Sequence, residues 1–587
     1  MTTPLRARAL ILLAALVVPF VSSCESSSEP SEPEGPVVRE LRLLKPFPDR
    51  SEQGPFAGPK PTLHDALTQI WEATDNEDVK GLLVRVGPLQ GTWGSVDDLI
   101  EALNEFRTET RQIHCHFETT DNVGFILLAS SCDRIAMTPA GTLDLIGPAA
   151  VMLYAREFLE KIGIQAEILH MGRYKGAGDM FIRNDMPPEA KESMDAILDD
   201  LYAALLTATA TRTEGDEAAA KTLIDGGPYT SQKAMKAGIV DEVAFLRQAR
   251  ETVKEAVGAM EIRKTKFLAV APKLTLGDFL DLLSGDTEKP VIQDDRVAVV
   301  FITGNIVDGE SARPGEAVSG PVVRALDRFA EDEKVKGVVL RINSPGGSAL
   351  ASDRMWEAVR HLAESKPVIA SIGDMAASGG YYVASAADEI LAHPNSLVGS
   401  IGVVGGKLNA SGLAEDIGIH TFVLKRGDRA AWSTPVRGLT PSERQAFEGL
   451  LRSTYDRFID RVAEGRKMER DAVLVAAEGR VMTAGDGAPL GLVDDMAGFG
   501  EAIRRAQEAG GLGADSPVEL WPATRGVLDS INELFGTGED DARNIQQTLL
   551  RAHPLVDALP LESWLNISRT LADEGVALVP PFALSLR

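Results

Sequence analysis

The chain has 587 residues, of which 44% are hydrophobic and 25% charged, a balance that excludes disordered, collagen-like and multi-span membrane proteins. The formal net charge of -26 argues against nucleic acid as a partner, because phosphate repels an acidic surface. A chain of this length can bury at least two hydrophobic cores.

The N-terminus has the pattern of an export signal. Within residues 1–24, two arginines precede an apolar run at residues 9–21, which is too short to span a bilayer comfortably, and the run ends in Val-Ser-Ser-Cys at Cys24. This predicts a lipoprotein signal whose Cys24 becomes the lipid-bearing first residue of the mature chain. Residues 25–36 are rich in Ser, Glu and Pro and predict a flexible tether. The alternative is a plain secretory signal or an uncleaved anchor; either reading places the bulk of the chain outside the cytoplasm.

Two long segments of the chain repeat each other. Residues 77–86 (EDVKGLLVRV) recur 256 positions later as residues 333–342 (EKVKGVVLRI), and residues 129–135 recur 255 positions later as residues 384–390. The sequence therefore predicts one fold present twice. We divide the chain into a first repeat at residues 37–267, a linker at 268–293, a second repeat at 294–510 and an extension at 511–587 without a counterpart in the first copy.

Short apolar runs alternate with helical stretches in the second copy. Residues 297–303, 337–342 and 367–372 are continuous and β-rich, and amphipathic stretches at 322–331 and 351–364 lie around them. Continuous apolar strands alternating with helices are typical of a parallel sheet buried on both faces. The predicted class is α/β.

Besides Cys24, the chain has only Cys115 and Cys132. These two could pair in an oxidising compartment or remain free and buried, and the sequence does not decide between the two states. Neither is expected to be catalytic.

The two copies differ where chemistry would be expected. Ser378 lies in AASGGYY where the first copy has Val123, and Lys175 lies in GRYKGAG where the second copy has Ala430. A serine between a strand and a helix can be a nucleophile near unpaired backbone N–H groups, or simply an N-cap. The pattern alone leaves both readings open.

A second strand-turn-helix unit follows residues 337–342. Its Ser-Pro-Gly-Gly turn contains Gly346 and Gly347, which match Gln90 and Gly91 of the first copy. Glycines let backbone N–H groups face a cleft without obstruction, as an oxyanion hole requires. A tight turn without a catalytic part is the alternative.

A serine nucleophile needs a base. No histidine lies in a segment that resembles a catalytic triad; the nearest in sequence to Ser378 is His393. Lysine can act instead when burial lowers its pKa, and Lys175 lies in a glycine-rich loop rather than on a helix face. The alternative is an ordinary surface lysine.

Four motifs together closely resemble the long, two-repeat form of the signal peptide peptidase A family: GDMAASGGYYVASAAD, RINSPGGSA, GRYKGAGDMF and LVGSIGVVGG. The resemblance covers essentially the whole mature chain. It implies a tandem repeat of two crotonase/Clp-protease-like α/β domains and a serine endopeptidase with a Ser/Lys dyad. Matched by motif, Ser378 would be the nucleophile, Lys175 the general base and Ser400 the serine that orients the lysine, with Gly347 and Gly379 as backbone oxyanion donors.

The resemblance also implies partners and a location. Substrates would be signal-peptide remnants and other extended hydrophobic peptides, the assembly would be a homotetramer, and no metal or organic cofactor would be needed. Family members are typically held by a transmembrane helix, whereas this chain offers a lipid anchor at Cys24. We therefore expect a lipoprotein of the bacterial cell envelope that faces the periplasm, with inner and outer membrane both open.

Two other functions are compatible with such a fold. A crotonase-type acyl-CoA enzyme also uses glycine-rich oxyanion turns, but export would separate it from CoA. A non-catalytic envelope scaffold would require both copies to be degenerate, which the combined presence of Ser378, Lys175, Ser400 and Gly347 argues against.

Overall fold

The computed structural model describes residues 35–50, 60–265, 293–313 and 315–522, together with the backbone of Val576–Leu578. The predicted signal with Cys24, almost all of the tether and nearly all of the linker lie outside the described residues. Within the part of the chain that is described, no helix combines the length and apolarity that a membrane crossing requires.

The first repeat is built on a seven-stranded sheet. Strands β1 to β8 lie at Val37–Leu43, Val79–Val86, Gln112–Asp121, Arg134–Asp144, Gln165–Met171, Tyr229–Thr230, Glu242–Val243 and Glu261–Lys264. Helices α1 to α9 lie at Leu63–Asp75, Ser95–Phe106, Asn122–Ser131, Arg156–Lys161, Asp179–Ile182, Pro188–Ala210, Glu217–Asp225, Ser231–Lys236 and Leu246–Val257. The sheet order is β6-β4-β3-β2-β1-β8 with β7 beside β4, and every pair is parallel except β4–β6.

The second repeat has an eight-stranded sheet. Strands β9 to β20 lie at Arg296–Thr303, Asn305–Val307, Glu316–Val318, Val335–Ser344, Gly347–Ser348, Val368–Ala377, Glu389–Ala392, Leu397–Gly399, Val403–Asn409, Val481–Thr483, Asp495–Met496 and Val518–Trp521, and β21 lies at Val576–Leu578. Helices α10 to α17 lie at Ser319–Glu331, Ala349–Ala363, Gly379–Ala384, Ser411–Asp416, Pro441–Arg466, Arg470–Ala476, Ala484–Gly487 and Phe499–Ala509. The order is β18-β16-β14-β12-β9-β20, with β15 beside β14 and β19 beside β15.

Both faces of these sheets are buried. In β2, Leu82 packs into the main core of the first repeat, whereas its neighbour Leu83 packs on the opposite side with Val253 of α9. Strand β9 is buried along seven of its eight residues. Because successive side chains of a strand point to opposite faces, such continuous burial requires a covering layer on each side. The predicted α/β class with mainly parallel sheets is confirmed.

The second repeat extends beyond the boundary expected at residue 510. Strand β20 pairs in parallel with β9, just as β8 pairs in parallel with β1 in the first repeat. The expectation that residues after Gly511 have no counterpart in the first copy is therefore wrong for Val518–Trp521. A four-residue strand is too short to give a recognisable pattern without its sheet.

A third sheet joins the repeats, in the order β11-β10-β13-β21-β17-β5. Strand β5 of the first repeat pairs antiparallel with β17 of the second, from Met171 opposite Val403 to Gln165 opposite Asn409. This pairing fixes the loop after β5 against the second repeat.

Cys115 of β3 and Cys132 at the end of α3 form a disulfide bond. Of the two states that the sequence left open, the structure thus has the paired one. The bond ties α3 to the sheet of the first repeat.

A buried cluster of charges lies between the repeats. The Arg341 guanidinium of β12 is fully buried and donates to Asp49 Oδ1 at 2.9 Å and to Asp98 Oδ2 at 2.7 Å, both in the first repeat. Burial by itself would raise the pKa of Asp98, but the charges of Arg341 and His393 and the hydrogen bonds from His393 and Phe499 N together hold that pKa well below its usual range. The carboxylates in turn raise the pKa of Arg341 despite its burial.

We predict that Arg341→Met destabilises the protein by about 3–5 kcal/mol, because it leaves buried carboxylates uncompensated. Urea unfolding followed by circular dichroism measures the change. Adding Asp98→Asn should restore part of the loss. Arg156→Met is the matched control, since its pair with Glu160 is exposed, and should leave the unfolding midpoint unchanged. An Arg341→Met protein as stable as the wild type would contradict this role.

Candidate active site

Ser378 lies between the end of β14 and the first residue of α12. Its φ is +54°, a conformation that residues other than glycine rarely adopt, and its backbone N–H donates to Gly399 O at 2.8 Å. The side chain is fully buried and makes no capping hydrogen bond to the helix. In the first repeat, by contrast, the side chain before α3 is Asp121, which caps the helix by accepting from Gly124 N. The side chain of Ser378 therefore does not cap α12, and the N-cap alternative is wrong.

The strand before Ser378 is longer than expected. The apolar run predicted a strand over residues 367–372, whereas β14 continues to Ala377. The extra residues stay extended because they pair with β16, with Ala377 opposite Gly399. Ser378 and Ser400 directly follow these two paired residues, and so the pairing brings them together.

Lys175 meets both serines. Its Nζ lies 2.7 Å from Ser378 Oγ, 2.8 Å from Ser400 Oγ and 2.8 Å from Ser400 O. The lysine side chain is fully buried, and this burial lowers its pKa well below the usual range, because desolvation disfavours the ammonium form. The surface-lysine alternative is excluded.

Residues 478–480 hold the lysine loop, and sequence reasoning missed them. Glu478 O accepts from Tyr174 N at 2.7 Å, and Arg480 O accepts from Ser400 N at 2.6 Å. A Cβ on Gly479, whose φ is +80°, would lie 2.6 Å from Lys175 N, so only glycine fits there. In the sequence, Gly479 is a single glycine after a helix. Such a glycine indicates a turn, but it does not reveal that the turn packs against Lys175.

Gly347 and Gly379 lie next to each other. A Cβ on Gly379 would be 3.2 Å from Gly347 N, and a Cβ on Gly347, whose φ is +152°, would be 2.0 Å from Ile306 O. A Cβ at Gly347 would therefore clash with the backbone of Ile306, and one at Gly379 would crowd the backbone of Gly347. Gly347 therefore lies close to the residue that follows Ser378, while the role of the two glycines as oxyanion donors stays a prediction.

The first repeat has a valine at the position that Ser378 takes in the second. Val123, the counterpart of Ser378, is buried in the hydrophobic core of the first repeat. The first repeat thus contributes Lys175 and the second contributes the two serines.

His393 belongs to the charge cluster between the repeats. Its Nε2 lies 3.0 Å from Asp98 Oδ1. Burial tends to lower the pKa of His393, but the carboxylates of Asp98, Asp97 and Glu101 together raise it. Among the described residues, Asp98, Glu101 and His393 offer atoms close enough together to hold a metal ion, yet the Arg341 guanidinium on Asp98 opposes a second cation there.

Comparison with known proteins agrees with this geometry. The model of peptidase family S49 matches residues 105–260 and 360–513. The chain is 30% identical to "Serine protease SPPA, chloroplastic" of Arabidopsis thaliana, over 78% of this chain and 67% of that protein. It is 29% identical to "Protease 4" of Haemophilus influenzae, over 83% of this chain and 79% of that protein, and 31% identical to "Protease 4" of Salmonella typhi, over 76% and 72%. With both repeats matched and relatives aligned along most of their length, the chain belongs to peptidase family S49.

Proposed function

We propose that this serine-type peptidase cleaves peptides with Ser378 as nucleophile and neutral Lys175 as general base. The observation that carries the proposal is the 2.7 Å distance between Lys175 Nζ and Ser378 Oγ in a fully buried site. A serine hydroxyl is a weak nucleophile until a base takes its proton, and an amine with a lowered pKa can take it near neutral pH.

The neighbours of the amine suit its neutral form. A neutral amine has two N–H donors and one lone pair, whereas an ammonium ion has three donors and no acceptor. Ser400 O and Ser400 Oγ can accept the two N–H groups, which leaves the lone pair for the hydroxyl proton of Ser378. Ser400 is thereby the positioning residue that orients Lys175.

Acyl transfer follows from this arrangement. Lys175 accepts the Ser378 proton as Oγ bonds to the scissile carbonyl carbon, and the carbonyl oxygen becomes an oxyanion. The N–H groups of Gly347 and Gly379 donate to that oxygen. Lys175 then gives its proton to the leaving amine as the C–N bond breaks. Water, deprotonated by the same lysine, attacks the ester and releases the acid and Ser378. Each step uses only groups of the chain and water.

The proposed substrates are signal-peptide remnants and other extended hydrophobic peptides. Support comes from relatives such as the "Putative signal peptide peptidase SppA" of Enterococcus faecium, 33% identical over 35% of this chain and 60% of that protein. An extended peptide can add as a strand beside the glycine turn, so that backbone hydrogen bonds hold it with little dependence on sequence.

We further propose that the protein acts as a homotetramer in the bacterial cell envelope, facing the periplasm and held by a lipid on Cys24. The relatives named Protease 4 come from bacteria. An exposed apolar segment, in which Phe422 and Leu424 are 90% and 94% exposed, is compatible with contact between copies.

The dyad is tested by labelling with a fluorophosphonate and peptide mass spectrometry. We expect label on Ser378 in the wild type, none in Ser378→Ala, and a labelling rate and kcat/KM lowered at least about 10³-fold in Lys175→Ala, which lacks its base. Lys407→Ala is the matched control, because Lys407 is half-buried and its amine donates to Thr434 O and Arg437 O rather than to the two serines. Folded wild type that takes no label would favour a scaffold, and acyl-CoA turnover retained in Ser378→Ala would favour a crotonase-type enzyme.

The pH profile tests the charge state of the base. Because Lys175 acts after losing its proton, kcat/KM should rise with pH and level off above the lysine pKa. Burial places that pKa well below its ordinary value of about 10.4.

The free energy of unfolding should also rise with pH. The native state binds fewer protons than the unfolded chain between the two pKa values, so the wild type should gain stability relative to Lys175→Met as pH rises through that window. An activity limb only near pH 10 would contradict a lowered pKa.

The anchor is tested by replacing Cys24. In a bacterial host, Cys24→Ser should move the protein from the membrane to the soluble fraction, because the thiol that carries the lipid is lost. Ser23→Ala, adjacent to the anchor, should stay with the membrane. Membrane retention of Cys24→Ser would contradict the lipid anchor, and mass photometry of the released protein would show whether four copies assemble.

A further inference from the structure

Tyr174, which precedes Lys175 in sequence, packs against two arginine side chains. The centre of its buried ring lies 4.8 Å from the guanidinium carbon of Arg173 and 4.4 Å from that of Arg480. Arg480 Nη2 also donates to the Tyr174 hydroxyl at 2.7 Å, and this hydroxyl donates to Glu192 Oε2 of α6 at 2.9 Å. Arg480 and Glu192 form an ion pair with each other. The side chains of Tyr174, Arg480 and Glu192 thus make three mutual contacts, which fix the tyrosine.

Arg480 also contacts the residue that orients the lysine. Its main-chain O accepts from Ser400 N at 2.6 Å, while Ser400 O and Ser400 Oγ each lie 2.8 Å from Lys175 Nζ. The segment that carries Arg480 is itself held by α6, because Ser193 Oγ donates to Val481 O at 2.7 Å. One residue therefore holds the sequence neighbour of Lys175 with its side chain and the hydrogen-bond partner of Lys175 with its backbone.

The first repeat has a glycine at the position that matches Arg480. Residues 238–243 (GIVDEV) match residues 491–496 (GLVDDM), and 491 minus 238 gives an offset of 253. The same offset relates β6 to the end of β18, two strands that each pair antiparallel within their sheets, and it relates Gly227 to Arg480. The turn itself therefore does not require an arginine, which stands only in the copy that packs on the lysine loop.

We infer that Arg480 is a positioning residue, which clamps Tyr174 so that the Lys175 amine stays dry and aligned with Ser378. The inference rests on the proposed peptidase function. Among the described residues no carboxylate pairs with Lys175, so the place of this flexible side chain depends on the packing around its loop. A planar guanidinium group can lie over an aromatic ring and donate to two partners at once, which suits arginine to this contact.

Loosening this cluster should change the protonation of the base. Burial lowers the pKa of Lys175, so water admitted beside the amine would favour the ammonium form and raise that pKa. A displaced reacting group also slows the chemical step, by about 10²-fold for a shift of about 1 Å. The charged residues that contact Tyr174 or its loop are Arg173, Glu192, Glu478 and Arg480. Loss of one positive charge among these four would favour the ammonium form as well, and the test must separate that effect from positioning.

Arg480→Met tests the inference in the full chain. Because the side chain of Glu192 is 56% exposed, the substitution leaves no buried carboxylate unpaired, and we expect the protein to fold. For a hydrophobic peptide, kcat per Ser378 titrated with fluorophosphonate should fall about 10- to 100-fold at neutral pH, with KM unchanged. The rising limb of kcat/KM should move to higher pH, so that the difference from the wild type shrinks as pH rises.

Two conservative variants separate positioning from charge. Arg480→Lys keeps the positive charge but loses the planar group, and Tyr174→Phe keeps every charge but loses the hydroxyl that joins Arg480 to Glu192. Both should lower kcat and move the limb in the same direction as Arg480→Met, by smaller amounts. Because all three changes act through one contact, Tyr174→Phe combined with Arg480→Met should be no slower than Arg480→Met alone.

Arg328→Met is the matched control, because Arg328 likewise lies over a ring, that of Phe329 at 4.5 Å, and donates to Glu519. It should keep wild-type kinetics. Wild-type kinetics in Arg480→Lys would assign the effect to charge and overturn the positioning role. A wild-type kcat per labelled site and a wild-type limb in Arg480→Met and Tyr174→Phe, even with a lower melting temperature, would overturn it too and leave the dyad intact. Absence of labelling in the wild type would overturn the peptidase function itself.

Discussion

The lowered pKa of Lys175 is the constraint on which the rest of the site depends. Full burial disfavours the ammonium form, and among the described residues no carboxylate forms an ion pair with this lysine. A flexible four-carbon side chain can remain dry and uncharged only if the surrounding chain closes tightly around it. Strand pairing between β5 and β17 delivers the loop, and Gly479 lets the backbone approach it closely. The buried environment of the proposed base is thus a product of the interface between the repeats.

Duplication explains how one site can need both halves. The two repeats share the order of their main strands, with β2-β1-β8 matching β12-β9-β20, and each places a helix after its third long strand. In the first copy that helix begins with an ordinary acidic cap, and the adjacent Val123 joins the core. In the second copy Ser378 stands there in a conformation with positive φ and leaves its side chain free for Lys175. The same strand-helix unit thereby contributes a core residue in the first repeat and the proposed nucleophile in the second.

Local patterns in the sequence predicted much of this fold. The 256-residue repeat and the apolar runs predicted the parallel sheets, because burial on both faces leaves a continuous signal. Resemblance of motifs selected Ser378, Lys175 and Ser400, which the structure brings together. Contacts made across long sequence separations were not predictable. Glu478 meets Tyr174, and Asp98 meets Arg341, only after the repeats have packed, and neither pair has a spacing that marks it. The pairing of Cys115 with Cys132 likewise depends on how α3 lies on β3.

Lys175 and Arg341 show how one interface treats two equally buried basic side chains in opposite ways. Arg341 has two carboxylates within 2.9 Å, so the loss of hydration is offset and its charge is retained. Among the described residues, the hydrogen-bond partners of Lys175 Nζ are hydroxyl and carbonyl oxygens, which stabilise an ammonium ion far less than carboxylates do. A guanidinium group suits the site of Arg341, because it stays protonated and binds two carboxylates at once. A lysine amine suits the site beside Ser378, because it can lose its proton. Exchanging the two residue types would therefore put a permanent, unpaired charge beside Ser378, and the proposed base would be lost even though the amino-acid composition stayed the same.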